Sequence, residues 1–185
     1  MTEEKHVVLE QADLVRAVRR MAHEIVEKCD AGEELVLIGI RSRGAHLARR
    51  LAKAIGKFSK VMPAVAAVDV TPFRDDRRPA GGVAAPPAES PVSVDEKIVV
   101  LVDDVIYRGR TVRAALEAVE RLGRPKRIFV AVLIDRGARE LPIRADIVGK
   151  NISAGESQRV NVRLAESDGI DQVMLVDWQG RPSQP

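Results

Sequence analysis

A single cysteine, Cys29, excludes an intrachain disulfide and leaves no CxxC pair for zinc. Histidine is almost as scarce: His6, His23 and His46 are scattered, with no metal-ligand spacing. Aromatic residues make up 3% of the chain, too few for RNA-stacking platforms. No apolar run approaches the ~20 residues that span a bilayer, so no membrane partner is expected. The opening MTEEKHVVLEQ has no apolar signal stretch, and the cytoplasm is the expected address. Charge excess is small as well. A formal +3 does not by itself make a nucleic-acid binder, so local charge must decide that question.

What remains is an ordinary globular balance: 45% hydrophobic and 31% charged among 185 residues, suited to one domain over 1–185 with a sizeable core. Residues 10–29 read as a helix, with Leu14, Val18, Met21 and Ile25 as its buried stripe and Arg16, Arg19, Arg20 and His23 on a basic side. Asp30-Ala31-Gly32 stops it. Leu35 to Ile40 is a short apolar run typical of a strand buried on both faces. The loop Arg41-Ser42-Arg43-Gly44 and a helix over 45–57 follow, with Leu47, Leu51 and Ile55 inward. Ala64 to Val70, Lys97 to Val102, Arg127 to Ile134, Val160 to Leu164 and Val173 to Val176 are further strand candidates, and 110–122 a further helix. Residues 77–94 are rich in Pro, Gly and Ala without periodicity, which reads as a mobile loop. Strands alternating with helices predict an α/β fold, a doubly wound, mostly parallel sheet with helices on both faces. Ligands in such sheets sit at the carboxyl ends of strands, which points at loops 41–44, 103–111 and 135–142.

The strongest local signal is Val100 to Thr111. An apolar strand runs into Asp103-Asp104, and Val105-Ile106-Tyr107-Arg108-Gly109-Arg110-Thr111 then opens a helix. Amide groups at a helix start favour a phosphate, Gly109 lets the backbone approach it, and Thr111 can add a hydroxyl donor. Two carboxylates repel phosphate. They suit ribose hydroxyls, or a magnesium ion bound through water or hydroxyls. Together these groups describe a ribose 5-phosphate site. The plainer alternative is a strand ending in solvated aspartates before a capped helix. The lysine of a Walker loop is missing, and so is a GxGxxG pattern.

These residues resemble the diphosphate-sugar motif of type I phosphoribosyltransferases. More narrowly, the chain is similar to the pyrimidine operon regulatory protein and uracil phosphoribosyltransferase family. The likeness runs in order through Arg20-Met21-Ala22-His23-Glu24-Ile25, Gly39 to Gly44, Asp69 to Asp76 and the phosphate loop. It continues through Leu122-Gly123-Arg124-Pro125, Ala131 to Asp146 with its RELPIRAD run, and Val148-Gly149-Lys150-Asn151. It implies a type I phosphoribosyltransferase fold with a small hood, and a reaction of uracil with phosphoribosyl diphosphate (PRPP) to give UMP and pyrophosphate with Mg2+. Asp103 and Asp104 would hold the ribose hydroxyls, and residues 105–111 the 5′-phosphate. Arg41, Ser42, Arg43 and Gly44 would meet pyrophosphate, Asp135 and Arg136 would lie near the base, and Arg74, Asp75 and Asp76 would begin a closing loop over about 74–94.

The resemblance implies a second role, binding leader mRNA of pyrimidine genes, through Arg19, Arg20, His23, Lys28, Arg139, Arg144 and Lys150. It also implies a homodimer or higher homo-oligomer. A separate basic stretch lies between Glu34 and Asp69, where seven Lys or Arg occur without an acid; its plain reading is a solvated helix face. The chain departs from the family at Arg108 (usually threonine), Ala138 (usually histidine), Arg19 (usually threonine) and Phe73 (usually tyrosine). Residue 108 thereby loses a hydroxyl donor in the phosphate loop. Two alternatives stay open: a catalytically weakened UMP sensor that only regulates, and a phosphoribosyltransferase for another base without RNA binding. The tail 179–185 matches nothing in the family.

Overall fold

Successive residues of a strand face opposite sides of its sheet, and here that alternation sorts the apolar side chains into two layers. The computed structural model describes residues 5–29, 33–60, 62–74 and 92–177. In chain order the elements are β1 (Lys5–Leu9), α1 (Gln11–Lys28), β2 (Leu35–Ile40), α2 (Arg43–Ile55), β3 (Ala64–Val68), a 3-10 turn (Thr71–Phe73), β4 (Ile98–Ile106), α3 (Arg110–Glu120), β5 (Arg127–Asp135), β6 (Ile147–Asn151), β7 (Gln158–Arg163), α4 (Ala165–Asp168) and β8 (Gln172–Asp177). Five strands form a parallel sheet in the order β3-β2-β4-β5-β6. Leu35, Leu37, Val100, Val102, Ala131 and Leu133 face α1 and α2, packing with Leu14, Met21, Ile25, Leu47, Leu51 and Ile55. Val36, Ile38, Ile40, Val99 and Leu101 face the other way, onto Ala114, Ala115, Ala118 and Val119 of α3 and onto Phe73. Each fully buried Leu or Ile contributes about 1.5–3 kcal/mol.

The other three strands form a separate antiparallel sheet, β1-β8-β7. Val160, Val162, Leu164 and Val173 carry it into the core cluster that α1 and α2 share. This sheet, with α4, is the small hood.

From β2 the chain moves outward to β3, then crosses back to β4 on β2's other side. The order therefore reverses between β2 and β4, and the crevice at their carboxyl ends is where a doubly wound sheet binds its ligand.

Several elements differ from the sequence reading. β4 continues through Asp103 and Asp104 to Ile106, because Asp103, Val105 and Ile106 stay paired with Val132, Ile134 and Asp135 of β5. Val105 and Ile106 are therefore strand, not loop, and the Ile106 side chain is buried in the core. α2 starts at Arg43 rather than residue 45, so Arg43 and Gly44 are its first turn. β3 ends at Val68, where the Asp69 carboxylate accepts the Thr71 N–H at 2.8 Å and Pro72 enters the 3-10 turn. β1 and β6 are strands that the sequence pattern does not mark; each has five residues, and β6 carries Gly149. Asp75, Asp76, most of the 74–94 loop and the tail 179–185 lie outside the described residues.

Candidate active site

The crevice is closed at its base by a backbone contact that only glycine permits. A Cβ on Gly44 would stand 2.4 Å from the Val102 carbonyl oxygen. The start of α2 thus lies directly on β4, one residue before the acidic pair. Ahead of it the Arg41–Ser42 peptide bond is cis.

Asp103 is buried, at 7% exposure, and Asp104 is half-buried. An Asp103 oxygen accepts the Asp104 N–H at 2.9 Å, and an Asp104 oxygen accepts the Val105 N–H at 2.9 Å. Burial pushes the Asp103 carboxyl well above the usual range, with the neighbouring Asp104 charge adding to the effect. Burial raises Asp104 too. Two cations oppose these shifts from different elements: Arg74 acts on Asp103, and Arg43 on Asp104. The pair is a concentrated, poorly solvated acidic site that favours a ligand bringing hydroxyl donors or positive charge.

Three residues past the end of β4, the chain turns into α3. Gly109 is the N-cap in the left-handed region, φ 91°, and no side chain caps the helix. The amides at this helix start are oriented as a helix N-terminus presents them to an anion. Thr111 Oγ1 accepts from Arg74 Nη1 at 3.4 Å, linking the helix start to the segment after the 3-10 turn.

Loop 136–146 lies against the turn between β4 and α3. Arg108 O accepts both the Glu140 and Leu141 N–H groups, at 3.1 and 3.2 Å. The two Glu140 oxygens pair with Arg108 Nε at 3.0 Å and Arg110 Nε at 2.8 Å. Asp135 pairs not with adjacent Arg136 but with Arg139, at 2.6 Å, and also accepts the Gly137 N–H. Arg136 instead stacks over the Tyr107 ring at 3.9 Å and donates to Gly155 O. Asp135, Arg136, Arg144, Val148, Asn151 and Ile152 line a cleft of about 530 Å³ at the ends of β5 and β6.

One charge network had no local signal in the sequence. Arg43, His46 and Arg50 share one face of α2 and grip the hood. Arg43 pairs with Asp168 at 3.0 Å, His46 Nε2 bonds Ser167 Oγ at 2.9 Å, and Arg50 forks to Glu166 and Asp171. The partners lie 116 to 125 residues away. The basic face of α2 is solvated at Arg49 and Lys53, as the plain reading has it, but not at Arg50, whose side chain is 20% exposed.

Residues 7–166 match the phosphoribosyl transferase domain family. The chain is 51% identical over 172 residues to the bifunctional protein PyrR of Chloroflexus aurantiacus, covering 91% of this chain and 93% of that one. It is 50% identical over 178 residues to the PyrR of Pelotomaculum thermopropionicum, covering 96% and 98%. The chain belongs to the bifunctional PyrR family of phosphoribosyl transferase domains. Solved structures agree on the fold. The hypoxanthine phosphoribosyltransferase of Trypanosoma cruzi superposes with a TM-score of 0.73 at 18% identity, over 94% of this chain and 95% of that one. That of Staphylococcus aureus gives 0.69 at 19%, over 97% and 94%.

The basic residues singled out from the PyrR likeness fall on two adjoining stretches, α1 and residues 139–150. Arg20 joins them by donating to the Val148 and Gly149 carbonyls of β6. Arg19, His23, Lys28, Arg144 and Lys150 are exposed, and His23 stacks on Phe58 with ring centres 3.8 Å apart. Arg139 behaves differently. Its guanidinium is held by Asp135 and by the Tyr107, Gly137 and Ile143 carbonyls, which makes it an internal brace for the loop.

No helix among the described residues is long and apolar enough to cross a membrane.

Proposed function

We propose that this PyrR family member transfers phosphoribosyl from PRPP to uracil, giving UMP and pyrophosphate, and also binds leader RNA of pyrimidine genes as a UMP-responsive attenuation regulator. One observation carries the transferase reading: the Asp103–Asp104 pair, Asp103 buried and Asp104 half-buried, runs into the uncapped start of α3 at the sheet's reversal point. Negative charge under the ribose and amide dipoles at the 5′-phosphate are what a ribose 5-phosphate requires.

In displacement at the anomeric carbon, positive charge grows on the ribose ring. Asp103 and Asp104 hold the ribose hydroxyls and stabilise that charge. Their raised proton affinity drops once hydroxyl donors and developing positive charge face them. The amides at the α3 start and Thr111 fix the 5′-phosphate, converting an encounter into an oriented collapse. Arg41, with the backbone N–H groups of the first turn of α2, takes the pyrophosphate. Arg43 joins it by exchanging Asp168 for a phosphate oxygen. Asp135 and Arg136 border the cleft that receives uracil.

Magnesium fits this donor set only in part. The two carboxylates supply hard oxygen ligands, but among the described residues no group of three His, Cys, Asp or Glu converges on a cation. The ion would be held by Asp103 and Asp104 together with substrate oxygens and water, and would supply neutralisation of the diphosphate.

RNA recognition is assigned to Arg19, Arg20, His23, Lys28, Arg144 and Lys150. The Arg20 link that sets α1 beside β6 supports it, and a homo-oligomer would repeat this surface by symmetry. A second reading keeps UMP sensing without turnover. It draws on Arg108, which stands where a hydroxyl donor is usual and is paired with Glu140. Assay of UMP formation from uracil, PRPP and Mg2+, beside direct UMP binding, separates the two. Binding without product selects the sensor, and a preference for another base in a panel selects a different transferase. RNA binding to the chain's own pyrimidine leader must exceed binding to unrelated RNA, or the regulatory half fails.

A further inference from the structure

Glu140 has no part in the scheme above, yet it stands at the mouth of the phosphate loop between two of that loop's guanidinium groups. Its two oxygens are divided between them, one to Arg108 at 3.0 Å and the other to Arg110 at 2.8 Å. The carboxylate is not held there by those pairs alone. Its own N–H and that of Leu141 donate to Arg108 O, and Leu141 and Ile143 pack 3.5 and 3.6 Å from where a Gly109 Cβ would lie. The backbone thus fixes an anion beside the anion site.

We propose that Glu140 is a positioning residue that competes with the ligand's 5′-phosphate for Arg108 and Arg110, and so sets how much of the binding the phosphate supplies. The inference rests on the ribose-phosphate reading of this loop. Glu140 pairs with both cations and holds them in place. When a phosphate dianion arrives at the α3 amides, the guanidinium groups exchange the carboxylate for phosphate oxygens, with which they pair more strongly. The exchange is feasible because both ion pairs are exposed: Arg108, Arg110 and Glu140 side chains are 48%, 36% and 38% accessible, and solvent-screened pairs of this kind are weak. The competing anion also explains how arginine is tolerated at position 108. Without Glu140 more of the positive charge of Arg108 and Arg110 would face a site already rich in amide dipoles, and the loop would hold its phosphate product more tightly.

The test compares UMP with uridine, which differ only in the phosphate. In Glu140→Gln the shape and the backbone bonds remain and only the charge is lost. UMP binding is expected to tighten by roughly three- to tenfold while uridine binding is unchanged, since weak exposed pairs are being released. Glu140→Asp should restore the parental ratio in part. In an Arg108→Gln, Arg110→Gln background, Glu140→Gln should no longer alter UMP affinity. If turnover is present, Glu140→Gln should lower kcat by slowing UMP release. A merely structural role would move uridine and UMP together, and that result overturns the proposal, as does an unchanged UMP affinity in a variant whose parent binds UMP. If the parent itself binds neither ligand, the ribose-phosphate reading fails first, and the two failures are distinct.

Discussion

Replacing Arg50 with alanine should loosen the hood from α2. The Arg50 side chain is 20% exposed, and it forks to Glu166 and to Asp171, which is only 9% exposed. The change removes two bonds to Asp171, at 2.9 and 2.7 Å, and leaves that carboxylate with the Ala165 N–H at 2.8 Å. Stranding one partner of a fully buried ion pair costs about 3–5 kcal/mol. Solvent reaches Glu166, so roughly 2–3 kcal/mol is expected here. For a chain of this size that lowers Tm by about 5–10 °C. The pH dependence follows from Arg50 holding both carboxylates below their usual range. The native state then binds fewer protons than the unfolded one. The stabilisation is complete above the ordinary carboxylate range and is lost as pH falls through the depressed native values. The deficit of Arg50→Ala should therefore be full near pH 7 and shrink below about pH 4. Thermal melts at fixed protein concentration across pH read this directly. A Tm shift under about 1 °C at neutral pH, or an equal deficit at pH 3, refutes the reasoning.

Three further outcomes can be checked. Asp103→Asn should stabilise the ligand-free protein near pH 7, because the buried carboxyl binds protons more tightly in the native state, so its burden grows as pH rises above the ordinary Asp range; urea titration at pH 4 and 7 should show the gain only at the higher pH. Gly44→Ala should cost about 1–3 kcal/mol and weaken UMP binding, since its Cβ would meet the Val102 oxygen at 2.4 Å; Gly155→Ala, whose nearest contact is 3.8 Å, is the silent control in the same denaturation series. Arg19→Ala and Lys28→Ala should each flatten the salt dependence of RNA binding by about 0.7 in log–log slope, whereas Arg139→Ala should chiefly disorder the loop at the phosphate site.

The sheet and its site were legible because their signals are local. The apolar runs at 35–40 and 98–102 are continuous, the helices carry clear stripes, and Asp-Asp followed by Gly-x-Thr puts charge, turn and helix start within nine residues. What escaped depends on partners distant in sequence. β4 outlasts its apolar run because β5 pairs with it as far as Ile106, and no property of Asp103 or Asp104 announces a strand. β1 exists by pairing with β8 at the other end of the chain. Arg43, His46 and Arg50 look like a solvated face until the hood supplies Asp168, Ser167, Glu166 and Asp171. Glu140 could be read only as part of a charged run, since its two arginines lie 30 and 32 residues earlier. Arg139 shows the converse: a basic residue in a recognisable segment whose guanidinium is turned inward.

The most direct measurement is UMP formation from uracil and PRPP with Mg2+ by the intact chain, beside Asp103→Asn and Asp104→Asn. Turnover is expected in the parent, with a loss of about a hundredfold or more in each variant, because each removes a charge that stabilises the ribose cation. Melting curves must show both variants folded. A folded variant with parental turnover would contradict the role given to the acidic pair, and a parent that neither forms nor binds UMP would contradict the assignment of the site.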